Sequence, residues 1–404
     1  MTTTVIRNAD WVVAWDEIAG RHIYRRNIDI AFTDGTIVFV GPHYSGAADQ
    51  VIDGSDRLIL PGLIDIHSHP EHEPLYRGVR EEHGLRNMHM TGLYERSQAF
   101  SAPDDEARTA SAEFAYCELL LSGVTSLVDI SAPWDGWIEV CAKSGMRGFL
   151  APGYASARWR LANDFDLQYT WDEARGREGF TKALALIDDA ARHTSGRLSG
   201  IVSPMQIDTC TADLLRDSRD AARERALPFT VHVAQSVSEV REMIRRHGKT
   251  PIQWAYEIGV LGPDTILGHA LFLDTHSWIR WWTETDLELI AETGSSVAHC
   301  PTPFARYGQI MENFGDYLRA GVICGSARST RTRSAFLSLA IRPRSSRIRA
   351  LAPPAVAAYS RSDVVTVATS RAAMRARTAA LRISSTRLCG VVSVPSPMLT
   401  PARR

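Results

Sequence analysis

Leu58 to Pro70, reading LILPGLIDIHSHP, constrains this chain more than any other stretch. An apolar run rich in Leu and Ile, interrupted by Pro-Gly and ending in His-Ser-His, reads as a buried strand arriving at a polar site. Residues two apart on a strand project from the same face, so His67 and His69 converge. Two imidazoles at a strand end suit a borderline-soft cation such as Zn2+ or Fe2+, provided a third ligand arrives from elsewhere in the fold. The bland alternative is a pair of surface histidines in a turn.

Short segments rich in Val, Ile and aromatics precede this strand, at Trp11–Ala14, Ile23–Phe32 and Thr36–Val40. Turn signals separate them, and they indicate the first part of a small β domain over residues 1–56. After the His-x-His strand, strand and helix alternate. Helix 103–122 leads to strand 124–130, helix 134–144 to strand 147–154, helix 173–193 to strand 198–207, and helix 211–226 to strand 228–235. Helices over 236–260 lead to strand 264–271, helix 283–293 to strand 295–300, and helix 308–320 to strand 321–326.

Together with the strand ending at His67, eight strands alternate with helices, which implies an α/β fold with a parallel sheet closed as a TIM (β/α)8 barrel over residues 57–325. An open doubly wound sheet would need a Gly-rich phosphate turn after its first strand, and none follows. A barrel gathers its site at the C-terminal strand ends. Histidines mark four of them: His67 with His69, then His232, His269 and His299. Alone, His269 and His299 also read as hydrogen-bonded core histidines.

Charge is split along the chain. The first 325 residues carry 30 Lys/Arg against 45 Asp/Glu, whereas the last 79 carry 15 Arg, no Lys and the single acid Asp363. Such a tail could bind nucleic acid, but it lacks interleaved aromatics and any known binding module, which ranks that function last. The six cysteines show no CxxC spacing and read as reduced, mostly core thiols. With neither a long apolar run nor a charged-then-apolar leader, the expectation is a soluble, cytoplasmic protein without membrane association.

The ordered set PGLIDIHSH, His232, His269 and AHCPTPFARYG resembles the amidohydrolase superfamily, in its cytosine-deaminase-like and triazine-hydrolase-like branch, over roughly residues 5–325. Leu75-Tyr76-Arg77-Gly78 and Gly123-Val124-Thr125 leading to Asp129 are further marks. The resemblance implies a barrel flanked by a small β-sandwich built from both termini, one divalent metal, Zn2+ first, and a dimer or larger assembly. It implies hydrolysis at a carbon bearing nitrogen or another leaving group. Its metal ligands would be His67, His69 and His232. His269 and Gln235 would be the catalytic residues, His269 contacting the attacking water or the leaving side, and His299 and Gln235 would also face the substrate. Lys143, Lys182 and Lys249 lie at no strand end, which favours one metal over two bridged by a carboxylated lysine.

Two departures from the family pattern stand out. Gln235 occupies the place of the deaminases' Glu, and an amide cannot shuttle a proton. Ser329 occupies the place of the strand-eight Asp, and residues 326–404 lose the family pattern, as a shifted reading frame would produce. The small β domain is then expected to be incomplete at its C-terminal end. The reading is a metal-dependent hydrolase of deaminase type, acting on a small nitrogen heterocycle or amidine-like molecule and impaired by the missing carboxylates. Hydrolytic dehalogenation and a non-catalytic barrel are the alternatives.

Overall fold

The computed structural model describes residues 1–76, 94, 102–161, 167–306, 308–312, 314–326 and 365–369. Ser329 and all but six residues of the Arg-rich segment 326–404 lie outside these, as do the Arg77-Gly78 end of the LYRG mark and Cys389.

Eight strands open the chain: β1 (Thr3–Ala9), β2 (Trp11–Asp16), β3 (Arg21–Arg25), β4 (Ile28–Thr33), β5 (Thr36–Gly41), β6 (Gln50–Asp53), β7 (Arg57–Pro61) and β8 (Leu63–Ser68). The segment expected as one unit over 23–32 is two strands, because Asn27 takes a left-handed conformation (φ 53°) that ends one and starts the next. One sheet runs β5-β4-β1-β6. Ile6, Ala9, Ile28 and Ile30 from this region share a buried cluster with Val12 of β2 and Ile59 of β7.

The stretch LILPGLIDIHSHP is likewise two strands rather than one. β7 pairs with β2, and β8 pairs with β9 (Val124–Ser131), so the chain changes sheets at Pro61-Gly62. Gly62 is needed there, since a Cβ at that position would overlap the side chain of Thr125.

The parallel part continues through α1 (Asp105–Leu121), β9, α2 (Trp137–Ser144), β10 (Arg147–Tyr154), β11 (Ala157–Leu161), β12 (Leu167–Trp171), α3 (Glu173–Arg192), β13 (Leu198–Gly200) and β14 (Ser203–Pro204). It proceeds with α4 (Ala212–Glu224), β15 (Phe229–Val233), α5 (Val237–His247), α6 (Pro251–Glu257), β16 (Thr265–His269), α7 (Asp286–Thr293), β17 (Ser296–His299), α8 (Pro301–Arg306), α9 (Phe314–Arg319) and β18 (Cys324–Ser326). β19 (Val365–Thr369) then pairs antiparallel with β7, extending the β7-β2-β3 sheet.

One parallel sheet runs β8-β9-β10-β13, with β14 also on β10, and another runs β15-β16-β17-β18. Parallel bridges Val202↔Phe229 and Gln206↔His232 connect the two. At the other flank, a Cβ on Gly325 of β18 would overlap Ile66 of β8, so those strands also lie side by side.

Local rules explain most boundaries. Asp104, Thr211 and Ser236 cap α1, α4 and α5 by accepting a backbone N–H, and Thr250 with Gln253 forms a capping box on α6. Gly145, Gly248 and Gly294 close α2, α5 and α7 in the left-handed conformation.

Three further points differ from expectation. The strand foreseen over 198–207 is two short pieces, the helix foreseen over 308–320 reduces to α9, and the β11–β12 hairpin was not foreseen. Among the described residues, no helix is long and apolar enough to cross a membrane. Cys117, Cys141, Cys210, Cys300 and Cys324 are free thiols, all buried except Cys117.

Candidate metal centre

Strand alternation decides which side chains of β8 turn inward. Ser68 faces away and donates to Val128 O (2.8 Å), while His67 and His69 lie on the opposite side. Buried Asp65 accepts the backbone N–H of His67 (3.0 Å). His69 donates Nδ1–H to Ile130 O (2.7 Å), and His232 on β15 donates Nδ1–H to Met205 O (2.6 Å). A carbonyl can only accept, so these bonds set both tautomers and leave both Nε2 atoms with a lone pair.

Those two Nε2 atoms are 3.3 Å apart. With no proton between them, two lone pairs at that distance repel. Two imidazole ligands of a tetrahedral ion, at metal–nitrogen lengths of roughly 2.0–2.1 Å, would be about 3.3 Å apart. His67 adds a third ring, with centroids 5.0 Å from His69 and 4.7 Å from His232. One ligand atom from each of the three lies within 4.8 Å of the others. His67 is 5% exposed, and among the described residues neither of its ring nitrogens has a hydrogen-bond partner. Buried polar atoms are rarely left unpaired without a reason.

Burial pushes the His67 pKa well below the usual histidine value, with the neighbouring imidazoles adding to the effect, and lowers that of His232 to about 4. Both rings are therefore neutral at physiological pH, the form that ligates. Three neutral nitrogens, two of them fixed by carbonyls in the outer shell, fit a borderline-soft divalent ion.

His269 ends β16 beside this trio, its ring 4.6 Å from His67 and 5.3 Å from His232. Its backbone is in the left-handed region (φ 89°), an unusual conformation for a non-glycine residue at a strand end and typical of functional sites. Burial lowers its pKa well below normal, and its Nδ1 has no hydrogen-bond partner among the described residues. His299 stands apart from the trio, its ring stacked on Phe314 with centroids 5.1 Å apart. Gln235 is buried just past β15 and donates its amide to Gln206.

Around Gln235 the fold assembles groups that sequence reading passed over. Glu239, on the first turn of α5, accepts the backbone N–H groups of Ala234 (2.6 Å) and Gln235 (3.0 Å). Asp208 accepts from Trp159 Nε1 (2.9 Å) and Tyr169 OH (2.7 Å), both on the unforeseen hairpin. Arg246 stacks over Tyr169 at 4.1 Å and donates to Asp208 O. Burial raises the pKa of both carboxyls. The Gln206-Ile207-Asp208 run at a strand end was the available signal. Cys300, next to His299, was read only as a core thiol.

The family model described as "Amidohydrolase family" matches residues 58–374, and the chain belongs to that family. It is 27% identical over 311 residues to a 5-methylthioadenosine/S-adenosylhomocysteine deaminase of Thermococcus kodakarensis, covering 76% of this chain and 67% of that protein. Several such deaminases are matched over about three fifths to two thirds of their own length.

Among solved structures, atrazine chlorohydrolase of Arthrobacter aurescens TC1 complexed with zinc superposes with a TM-score of 0.64 at 20% identity, covering 80% of this chain and 71% of that one. An adenosine deaminase of Xanthomonas campestris with bound zinc gives a TM-score of 0.62 at 21% identity, covering 81% and 69%. At these identities the structures speak for the fold alone.

Proposed function

We propose that this protein is a metal-dependent hydrolase of deaminase type, cleaving an exocyclic C–N bond of a small nitrogen heterocycle, with a 6-aminopurine nucleoside as the first candidate. His67, His69 and His232 would hold one divalent ion, Zn2+ first. The observation that carries this reading is the pair of Nε2 lone pairs 3.3 Å apart. The names of the deaminase relatives supply the substrate class.

The same reading closes the two parallel sheets into one (β/α)8 barrel over residues 57–325. It treats residues 1–56, with β7 and β19, as a small β-sandwich, and residues 326–404 as an atypical segment that partly completes it. The substrate is a small molecule. A homo-oligomer belongs to the proposal by analogy with the family.

An ion bound by the trio would lower the pKa of its water to about 7. The chain's own residues provide the rest. His269, neutral and desolvated, accepts a proton at Nδ1 and can return it to the leaving amine. Gln235, held by Gln206, orients a ring nitrogen of the substrate by hydrogen bonding but moves no proton. Deamination therefore lacks a carboxylic acid at that position, and we propose weak turnover for the chain as written.

That same amide favours a second reading, hydrolytic dehalogenation, because chloride leaves without being protonated. Incubating the zinc-loaded protein with adenosine-type nucleosides and with chlorotriazines, and measuring ammonia and chloride, separates the two. Ammonia release supports deamination, and chloride release alone replaces it with dehalogenation. Release of neither, with stoichiometric zinc bound, leaves a non-catalytic metalloprotein.

A further inference from the structure

We propose that Cys300, with His67 and His269, forms a second, thiolate-bearing site for soft divalent cations that competes with the histidine trio for His67. The proposal rests on the trio reading only for the competition, since the second site stands on its own geometry. One ligand atom from each of Cys300, His67 and His269 lies within 4.8 Å of the others, and all three residues are buried. Cys300 is 4% exposed, and its only hydrogen-bond contact among the described residues is a long one, Sγ to Ala298 O at 3.7 Å. On the two imidazoles grouped with it, both ring nitrogens of His67 and Nδ1 of His269 are buried and have no hydrogen-bond partner among the described residues.

Buried, unpartnered nitrogens on both rings and a weakly bonded thiol make a donor set that no group among the described residues satisfies. The chemistry distinguishes this set from the trio. Three neutral imidazoles leave a divalent ion with its full double charge inside the protein, where uncompensated charge is costly. A thiolate halves that charge, and sulfur favours the softer end of the cation series.

Burial, with Asp65 nearby, holds the thiol pKa well above normal, so the group is S–H until a cation arrives. Binding then forms a sulfur–metal bond and releases that proton to solvent, with no change in oxidation state. A neutral imidazole has one lone-pair nitrogen, so His67 serves one set at a time according to its tautomer. Occupancy of the thiolate set therefore takes a ligand from the trio. Cadmium is the probe of choice, and cobalt reports on the trio by its visible d–d bands.

The test titrates Cd2+ into the full-length, cobalt-loaded protein while following the thiolate-to-cadmium ultraviolet band and the cobalt bands together. The wild type should gain the ultraviolet band at one equivalent as the cobalt bands bleach. Cys300→Ser should lose the ultraviolet band and bind Cd2+ at least about tenfold more weakly, while its cobalt bands persist. Cys117→Ser should behave as the wild type. Cys300→Ala, with a far-ultraviolet circular dichroism spectrum, guards against misfolding of the serine variant.

A cadmium band of equal amplitude in both Cys300 variants overturns the proposal. So does a wild type that shows cobalt bands but no thiolate band. If no cobalt bands form while a Cys300-dependent cadmium band does, the trio reading fails and the thiolate site stands.

Discussion

His69 and His232 present their Nε2 lone pairs to each other at 3.3 Å, each ring tied back through Nδ1 to a backbone carbonyl. The carbonyls belong to Ile130 on β9 and to Met205 just past β14, so neighbouring segments orient the two rings from behind. Removing either imidazole by His69→Ala or His232→Ala should lower zinc retention by more than about 100-fold, beyond the loss typical of an outer-shell partner. Metal content after dialysis checks this, and wild-type zinc in either variant would contradict the site.

Gly268 is pressed against the same centre. A Cβ there would stand 3.0 Å from His67 Cε1, 3.1 Å from His232 Cα and 3.2 Å from Val231 O. Two of those neighbours are backbone and cannot swing aside, so His67 must move. Gly268→Ala should cost about 1–3 kcal/mol of stability and weaken metal binding as well. Denaturant unfolding and a zinc titration measure the two effects; unchanged zinc affinity would show that His67 has room to spare.

Gln235→Glu supplies a proton-carrying group three residues after His232. General acid–base groups contribute on the order of 10²–10⁴-fold, so ammonia release should rise by about 100-fold. The new carboxyl is buried beside the amides that already bind Glu239, and Tm should fall. A variant that is no faster, with metal bound, would argue that the strand-eight carboxylate is the deficiency that matters.

Asp286 ties the loop after β16 to α6. Its carboxylate accepts from Thr250 Oγ1 (2.6 Å) and from Asp274 N (2.9 Å), and burial, with the charge of Asp274, raises its pKa to about 7. A folded-state pKa above the unfolded value of 3.8 means that the native state holds the proton more tightly. The stabilisation is complete in acid below the unfolded pKa and is lost as pH rises towards and through 7. Asp286→Asn cannot titrate there, so its Tm should climb relative to the wild type between about pH 4 and 8. A constant difference across that range would refute the assignment.

Arg219 is 2% exposed and reaches both carboxylate oxygens of Asp264, with Nη1 to Oδ2 at 2.8 Å. It joins α4 to the loop that precedes β16. Arg219→Ala leaves Asp264 without its fork-shaped partner and should cost about 3–5 kcal/mol, read by urea unfolding. A loss below about 1 kcal/mol would mean that water replaces the pair, as at exposed sites.

Much of this molecule was legible along the chain. The alternation of apolar strands with capped helices set the α/β rhythm, and the histidines at Leu58–Pro70, Val231–His232, Gly268–His269 and Ala298–His299 marked strand ends before any contact was known. Both signals are local: side-chain periodicity follows from backbone geometry, and a cap satisfies N–H groups within one turn.

What the chain could not disclose depends on contacts between segments far apart in sequence. Pro61-Gly62 looked like a dent in one strand, yet it is where the chain passes from one sheet to another, because Thr125 leaves no room for a Cβ. Trp159 and Tyr169 looked like ordinary aromatics until the hairpin brought them to Asp208. Residue type made His69 and His232 candidates for one cation. Only the pairing of β8 with β9, and the carbonyls of Ile130 and Met205 behind the rings, chose their tautomers, since a hydrogen bond 61 or 27 residues away leaves no periodic trace in sequence.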